Sequence, residues 1–319
     1  MKGKFLLLFC FTTLRIFAQT DTTAVDISKE VSGKKKSSEK ESQKVFYGQR
    51  LINARTVEVL HKGVMAFTIV HTFGDAAGKS GGFKNFFGLD EVSDALLGFQ
   101  IGLGNHLNLA LQHAVGYRDP FGLQHFYEAG LKYQFMSQGD HGNPFSLTAY
   151  GNVVSSANKI DSTAPESLFE STSDRMSELF ELMVGRRFGN FSLQLSGTIL
   201  HTNFVIPGDQ DNLVSVGAAV RFPLSKKLYI ISDYYHSFRS QESSDTWKSH
   251  GLPSRDVFGI GAEILTAGHV FHLNFTNARN VLENRFLPRT TDSWGKGQFR
   301  WGFTLTRNFT VFRDKKSQQ

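Results

Sequence analysis

Glu128, Lys132, Glu181, Arg187, Arg221, Asp233, Glu263, His272 and Arg300 are the side chains of this sequence whose types and spacing could act together. Each lies in a segment where large apolar residues take every second position. Each takes the other, polar parity, so all project from the same side of an extended strand. Carboxylates, guanidinium groups, an ammonium and an imidazole around one enclosed space have two uses. They can pair and stiffen the interior, because a charge withdrawn from bulk water needs a partner. They can instead ring a passage and select small solutes by charge.

Other constellations are weaker. Gly78-Lys79-Ser80-Gly81-Gly82 has the letters of a nucleophile elbow, but an elbow needs a strand entering and a helix leaving, and this motif sits in a Gly-rich loop. As a phosphate loop it fails too, since Phe73 stands where the first glycine is required. Asp209, Asp211 and Asn212 offer hard oxygens of the kind calcium takes, yet without the rest of a motif they read as a turn. With one cysteine in the chain, Cys10, imidazole is the metal ligand that remains. His71, His113, His201 and His236 fall near one end of their strands with outward parity, which suits interfacial residues. His269 falls at the opposite end, so a site joining it to His71 and His201 would span the membrane thickness. No catalytic residue, metal site or cofactor is assigned.

The elements that must position the polar set are strands. In Gln298 to Phe309, Phe299, Trp301, Phe303 and Leu305 oppose Arg300, Gly302, Thr304 and Thr306. Leu107 to Tyr117, Phe126 to Met136 and Ala95 to Leu103 repeat the pattern, with Gly, Ala, Gln, Glu and Lys on the polar parity. A soluble sandwich would fill that face with Val and Ile. Large apolar residues outward and small or charged ones inward describe strands between lipid and an aqueous interior, and the polar face is expected to be wet. Counting from Val64 to Phe73 as the first and Phe299 to Phe309 as the last gives about twelve strands. Thr56 to Leu60 is too short to cross a membrane and is left out. The connections alternate between long and tight, as short periplasmic turns and longer external loops would. The expected fold is therefore all-β, an antiparallel transmembrane barrel with a narrow or plugged lumen.

Residues 1–18 open with Lys2 and Lys4, run through apolar Phe5 to Phe11 and reach Ala18, the pattern of a signal peptide. Cys10 lies inside it, so the mature chain would hold no thiol. Residues 19–45 are rich in Lys, Glu, Ser and Thr and are expected to form a disordered periplasmic linker. Residues 46–312 would be the barrel and 313–319 a basic tail. Much of the formal charge of +6 sits in the two ends, which reads as solvated tails and not as a nucleic-acid surface.

Phe86-Phe87-Gly88-Leu89-Asp90, Leu131-Lys132-Tyr133, His201-Thr202-Asn203 and Thr266-Ala267-Gly268-His269-Val270-Phe271 with Phe275-Thr276-Asn277 resemble the DUF5777 family of uncharacterised β-barrel proteins of Bacteroidetes, as do Trp294, Gly297 and Gly302-Phe303. The resemblance covers roughly Phe46 to Phe309 and implies a Gram-negative outer-membrane barrel. Its activity stays open. One expectation is a non-enzymatic barrel that passes or binds a small solute while its outer face meets outer-membrane lipid. A second is a lipid-acting enzyme with a rim histidine such as His201, near Asn203, as base to a serine. A third is a docking platform for a periplasmic or outer-membrane protein.

Overall fold

The computed structural model describes residues 43–116, 125–160 and 168–312. The expected signal peptide, nearly all of the expected linker and the basic tail lie outside these residues. Twelve strands follow in chain order: β1 (Val64–Asp75), β2 (Val92–Gly102), β3 (Leu107–Gly116), β4 (His125–Met136), β5 (Ser146–Ser156), β6 (Met176–Phe188), β7 (Phe191–Thr202), β8 (Asn212–Pro223), β9 (Leu228–Phe238), β10 (Val257–Leu265), β11 (His269–Thr276) and β12 (Arg300–Thr310). Each pairs antiparallel with its neighbour in sequence, and β1 pairs with β12, so the sheet closes into a barrel. Closure removes both sheet edges, a requirement where no water can satisfy them.

The alternation reads directly as exposure. Leu111, Tyr127, Leu131, Leu195, Ile199 and Leu273 point outward and are exposed, while Gln100, Asn108, Glu128, Lys132, Gln194 and Thr198 on the other parity are buried. Leu195 is thus not sandwiched between sheets. One end of the barrel carries tight turns, such as Gly189–Asn190 between β6 and β7, and also the junctions with both chain ends, where Val311 N donates to Gly63 O at 2.8 Å. The other end carries the long connections. One of these holds α1 (Gln241–Ser249), capped by Ser240, whose hydroxyl accepts from Ser243 N. Another, between β11 and β12, holds α2 (Glu283–Arg289).

The inward face is not wet, contrary to the expectation from its polarity. Residues 43–63 run up into the lumen from the turn end, reverse at Leu51 to Ala54, where Leu51 N donates to Ala54 O at 2.8 Å, and return to β1. Phe46, Leu51 and Val57 within this segment are completely buried. Thr56 to Leu60, which resembled a short strand, is irregular backbone inside the barrel. From the loop end, the β11–β12 connection folds inward, and every residue of α2 is buried. An irregular segment carries backbone N–H and C=O groups that no sheet satisfies. A polar wall supplies what a greasy one could not. Val57 N donates to Gln194 Oε1, Leu60 N to Asn108 Oδ1, and Val57 O accepts from Gln134 Nε2 and Thr148 Oγ1, all at 2.7–3.0 Å. Small inward residues make the room. A Cβ added at Gly185 would stand 2.8 Å from a methyl of Val57, and one at Gly130 would collide with the Tyr150 hydroxyl.

Candidate functional site

The interior holds the charged set in tiers. At the turn-end rim, Arg187 is half-buried; its Nε donates to Gly189 O at 2.6 Å and its backbone N to Gln138 Oε1 at 2.7 Å. It belongs to the turn more than to the lumen. Deeper in, Arg221 from β8 meets Glu263 Oε1 from β10 at 2.5 Å, and Glu263 Oε2 meets His272 Nε2 from β11 at 3.1 Å. His272 Nδ1 lies 3.1 Å from Leu51 O of the inserted segment. Both ring nitrogens therefore face acceptors, a carboxylate on one side and a backbone carbonyl on the other. The Arg221 guanidinium stands over Tyr229 at 3.3 Å and Tyr47 at 4.4 Å, so its charge meets two aromatic faces as well as a carboxylate.

Asp233 of β9 grips the tip of the inserted segment. Ile52 N, Asn53 N and Ala54 N all donate to its Oδ2 at 3.1, 2.7 and 2.9 Å, and Asn53 Nδ2 donates to Oδ1 at 2.7 Å. Three successive backbone donors converging on one carboxylate form an anion nest, here occupied by the wall. Lys132 reaches Gln49 Oε1 at 3.3 Å and Glu181 accepts from Tyr235 Oη at 3.0 Å.

The two inserts meet in the middle through charges that lie off the wall. Arg50 Nη2 contacts Glu283 Oε1 at 2.9 Å, while Arg55 Nη2 contacts Glu283 Oε2 at 3.1 Å and Glu128 Oε1 at 2.5 Å. Arg55 also stacks on Tyr150, whose hydroxyl donates to Glu128. One α2 carboxylate thus holds both arginines of the N-terminal insert. At the loop end Arg300 and Arg279 share Asp292, at 2.5 Å and at 2.8 and 3.0 Å. Burial would raise the Asp292 carboxyl, but the Arg279 hydrogen bonds and both arginine charges outweigh it and hold it below the usual aspartate range.

The structure therefore brings Glu263, Arg221 and His272 into one triad, joins Glu128 to a second cluster, and leaves Arg187 and Arg300 at opposite ends. Sequence patterning missed Arg50, Arg55, Glu283 and Asp292, because none stands on a strand. A signal was available in Val281-Leu282 and Phe286-Leu287, which are too apolar for a connection that stays in solvent. The histidines do not assemble. His71 stacks on Phe303, His113 on Tyr127, and His236 Nδ1 meets Asp256 at 2.8 Å. His201 Nδ1 lies 3.0 Å from Asn212 Oδ1, and no serine among the described residues is hydrogen-bonded to it. Asn203 donates instead to Ser173 O and Glu178. Asp209 pairs with Arg239 at 2.6 Å, which occupies the carboxylate considered for calcium. In the Gly78 to Gly82 loop, Gly78 N and Ser80 N donate to Asp75, so the glycines shape a turn around a protein carboxylate.

A closed antiparallel wall with an apolar outer band and a charged interior defines an integral membrane β-barrel. Residues 46–309 match the model of the membrane bound beta barrel domain DUF5777, and the chain belongs to that family. Among solved structures it is similar to the KdgM porin in complex with disordered oligogalacturonate, at 7% identity and TM-score 0.45 over 77% of this chain and 99% of that one. It is also similar to the NanC porin, at 6% and 0.45 over 78% and 100%. An outer membrane channel from Pseudomonas putida F1 aligns at 14% and 0.46 over 79% and 98%. No curated protein matches the chain.

Proposed function

We propose that this protein is a non-enzymatic outer-membrane barrel whose polar interior passes or binds a small solute, and that its two inserts are the gate. The observation that carries the reading is the chemistry of the seal. Wall and N-terminal insert meet through side-chain hydrogen bonds and ion pairs, with the tip held by Asp233 and the centre by Glu283, around an apolar cluster that joins Phe46, Leu51 and Val57 to Leu179, Met183 and Ile231. Water can replace the polar contacts when the insert moves, while exposure of the apolar cluster, at about 25 cal/mol per Å², favours the closed state. The passage is shut in this state, and displacement of residues 43–63 opens it.

A disulfide tests this. In a disulfide the distance from one Cβ to the opposite sulfur is about 3 Å. A Cβ at position 185 would lie 2.8 and 3.0 Å from the two methyl carbons of Val57, so Val57→Cys with Gly185→Cys, in a Cys10→Ser background, is placed to lock the insert to the wall. In planar bilayers the oxidised pair is expected to be silent and the reduced pair to show openings like the parent. Identical traces before and after reduction, with neither solute passage nor binding in either state, would remove the gating reading.

A further inference from the structure

We infer that the solute is an organic cation bearing a guanidinium group, and that Arg50 and Arg55 of the N-terminal insert occupy its seat in the closed state. The inference rests on the gating reading above and names what the gate admits.

The seat lies where the two inserts meet. Glu128 of β4, Glu181 of β6 and Glu283 of α2 are each at most 3% exposed. Arg55 Nη2 meets Glu128 Oε1 at 2.5 Å and Glu283 Oε2 at 3.1 Å, and Glu283 Oε1 takes Arg50 at 2.9 Å. The Arg55 guanidinium stands 4.1 Å over the Tyr150 ring, and Tyr150 is paired across the strands with Glu181 on one side and Lys132 on the other. Carboxylates around the edge of a planar cation and an aromatic ring beneath it are the features that recognise a guanidinium.

Acceptors outnumber donors at this seat. Tyr150 Oη and Asn152 Nδ2 both donate to Glu128 Oε1, yet Glu128 Oε2 and Asn152 Oδ1 are buried with no hydrogen-bond partner. Arg55 Nε is buried without a partner too. A guanidinium tied to its own backbone cannot aim every N–H at an acceptor. A free one can turn, and it has N–H groups for the oxygens that Arg55 leaves unmet.

The sign of the solute follows from the charge that leaves with the insert. Residues 43–63 carry Lys44, Arg50, Arg55 and Lys62 against one acid, Glu58. That acid is engaged within the segment, accepting from Val45 N at 2.8 Å and Phe46 N at 3.1 Å. When the insert withdraws, Glu128 and Glu283 lose their arginines and Asp233 loses three backbone donors. Of the inward strand cations among the described residues, Arg221 stays with Glu263, and Arg187 and Arg300 sit at opposite ends. Lys132 is left to offset one of the four acids Glu128, Glu181, Asp233 and Glu283. The other α2 cations are turned elsewhere, Arg285 over Phe126 and Arg289 over Trp247. The middle of an opened lumen is therefore acidic, and it draws cations and repels anions.

Two measurements on the full chain test this. In planar bilayers under a tenfold KCl gradient, openings of the unaltered protein should pass potassium over chloride by about fivefold or more, and Glu128→Gln and Glu283→Gln should each lower that ratio. Arginine should block the potassium current at roughly tenfold lower concentration than citrulline, which has a neutral urea in place of the guanidinium. Openings without cation preference, or block by arginine and citrulline alike, overturn the proposal and leave the gate standing. These readings on the unaltered protein need no variant to fold. The second measurement needs no opening. Arg55→Ala vacates the seat, so methylguanidinium should raise its unfolding temperature by about 2 °C or more, while methylurea should not. The unaltered protein, whose seat is filled, should respond to neither. Equal responses to the two compounds, or none in Arg55→Ala, overturn the seat. A barrel that never conducts, with Arg55→Ala still selecting methylguanidinium, overturns the gate and not the seat.

Discussion

Asp233 shows how one residue can decide the state of the lumen. Its carboxylate satisfies three backbone N–H groups that would otherwise be buried without acceptors. Replacing it with alanine strands all three, and a loss of about 3–5 kcal/mol is expected, read as a lower temperature for the heat-modifiable gel shift. Asp233→Asn, which retains an acceptor oxygen, should lose less. Asp292 gives a pH signature. Its carboxyl is depressed in the folded protein, so its contribution is complete above the ordinary aspartate value of about 3.9 and disappears as pH falls through the lower, folded value. The unfolding temperature should therefore fall steeply below about pH 4, and the part of that slope due to Asp292 should be missing in Asp292→Asn.

At the scale of elements, the wall was legible and the inserts were not, for one physical reason. A strand between lipid and protein must alternate, and alternation survives in the sequence, so Phe299 to Phe309 was read nearly as the observed Arg300–Thr310. A segment surrounded by polar wall residues has no apolar solvent to answer to. Arg50, Asn53 and Thr56 face side chains that resemble water chemically, so residues 46–62 carry no sustained period, and only Thr56 to Leu60 resembles a short strand. Pro288 lies within α2 and all seven residues are buried, so no stripe marks it either. Glu128, Lys132, Glu181, Arg221, Asp233, Glu263, His272 and Arg300 are buried while Arg187 sits at the turn-end rim, and the partners of the buried ones could not be inferred without the inserts. The β1–β2 connection carries a different prediction. Phe86 and Phe87 sit at φ 45° and 54°, where a non-glycine residue costs about 1–2 kcal/mol. Phe86 is 63% exposed, so little burial offsets this. Phe86→Gly should leave the unfolding temperature unchanged or raise stability by about 1 kcal/mol, whereas Phe86→Val should lower it.

For the whole molecule, stability and passage are opposing demands on the same contacts. The Val57 and Gly185 pair probes both, since oxidation closes a long loop in the unfolded chain. A gain of roughly 5 kcal/mol is expected on the chain-entropy model. The oxidised protein should thus be more heat-resistant as well as silent, and a lock that silences without stabilising would point to a strained wall.

The seam between β1 and β12 joins the two ends of the described barrel, and residues 43–63 lead directly into β1. The segment that fills the lumen and the strand that completes the wall therefore share one tether, so any pull transmitted along residues 43–63 is delivered to the β1–β12 seam.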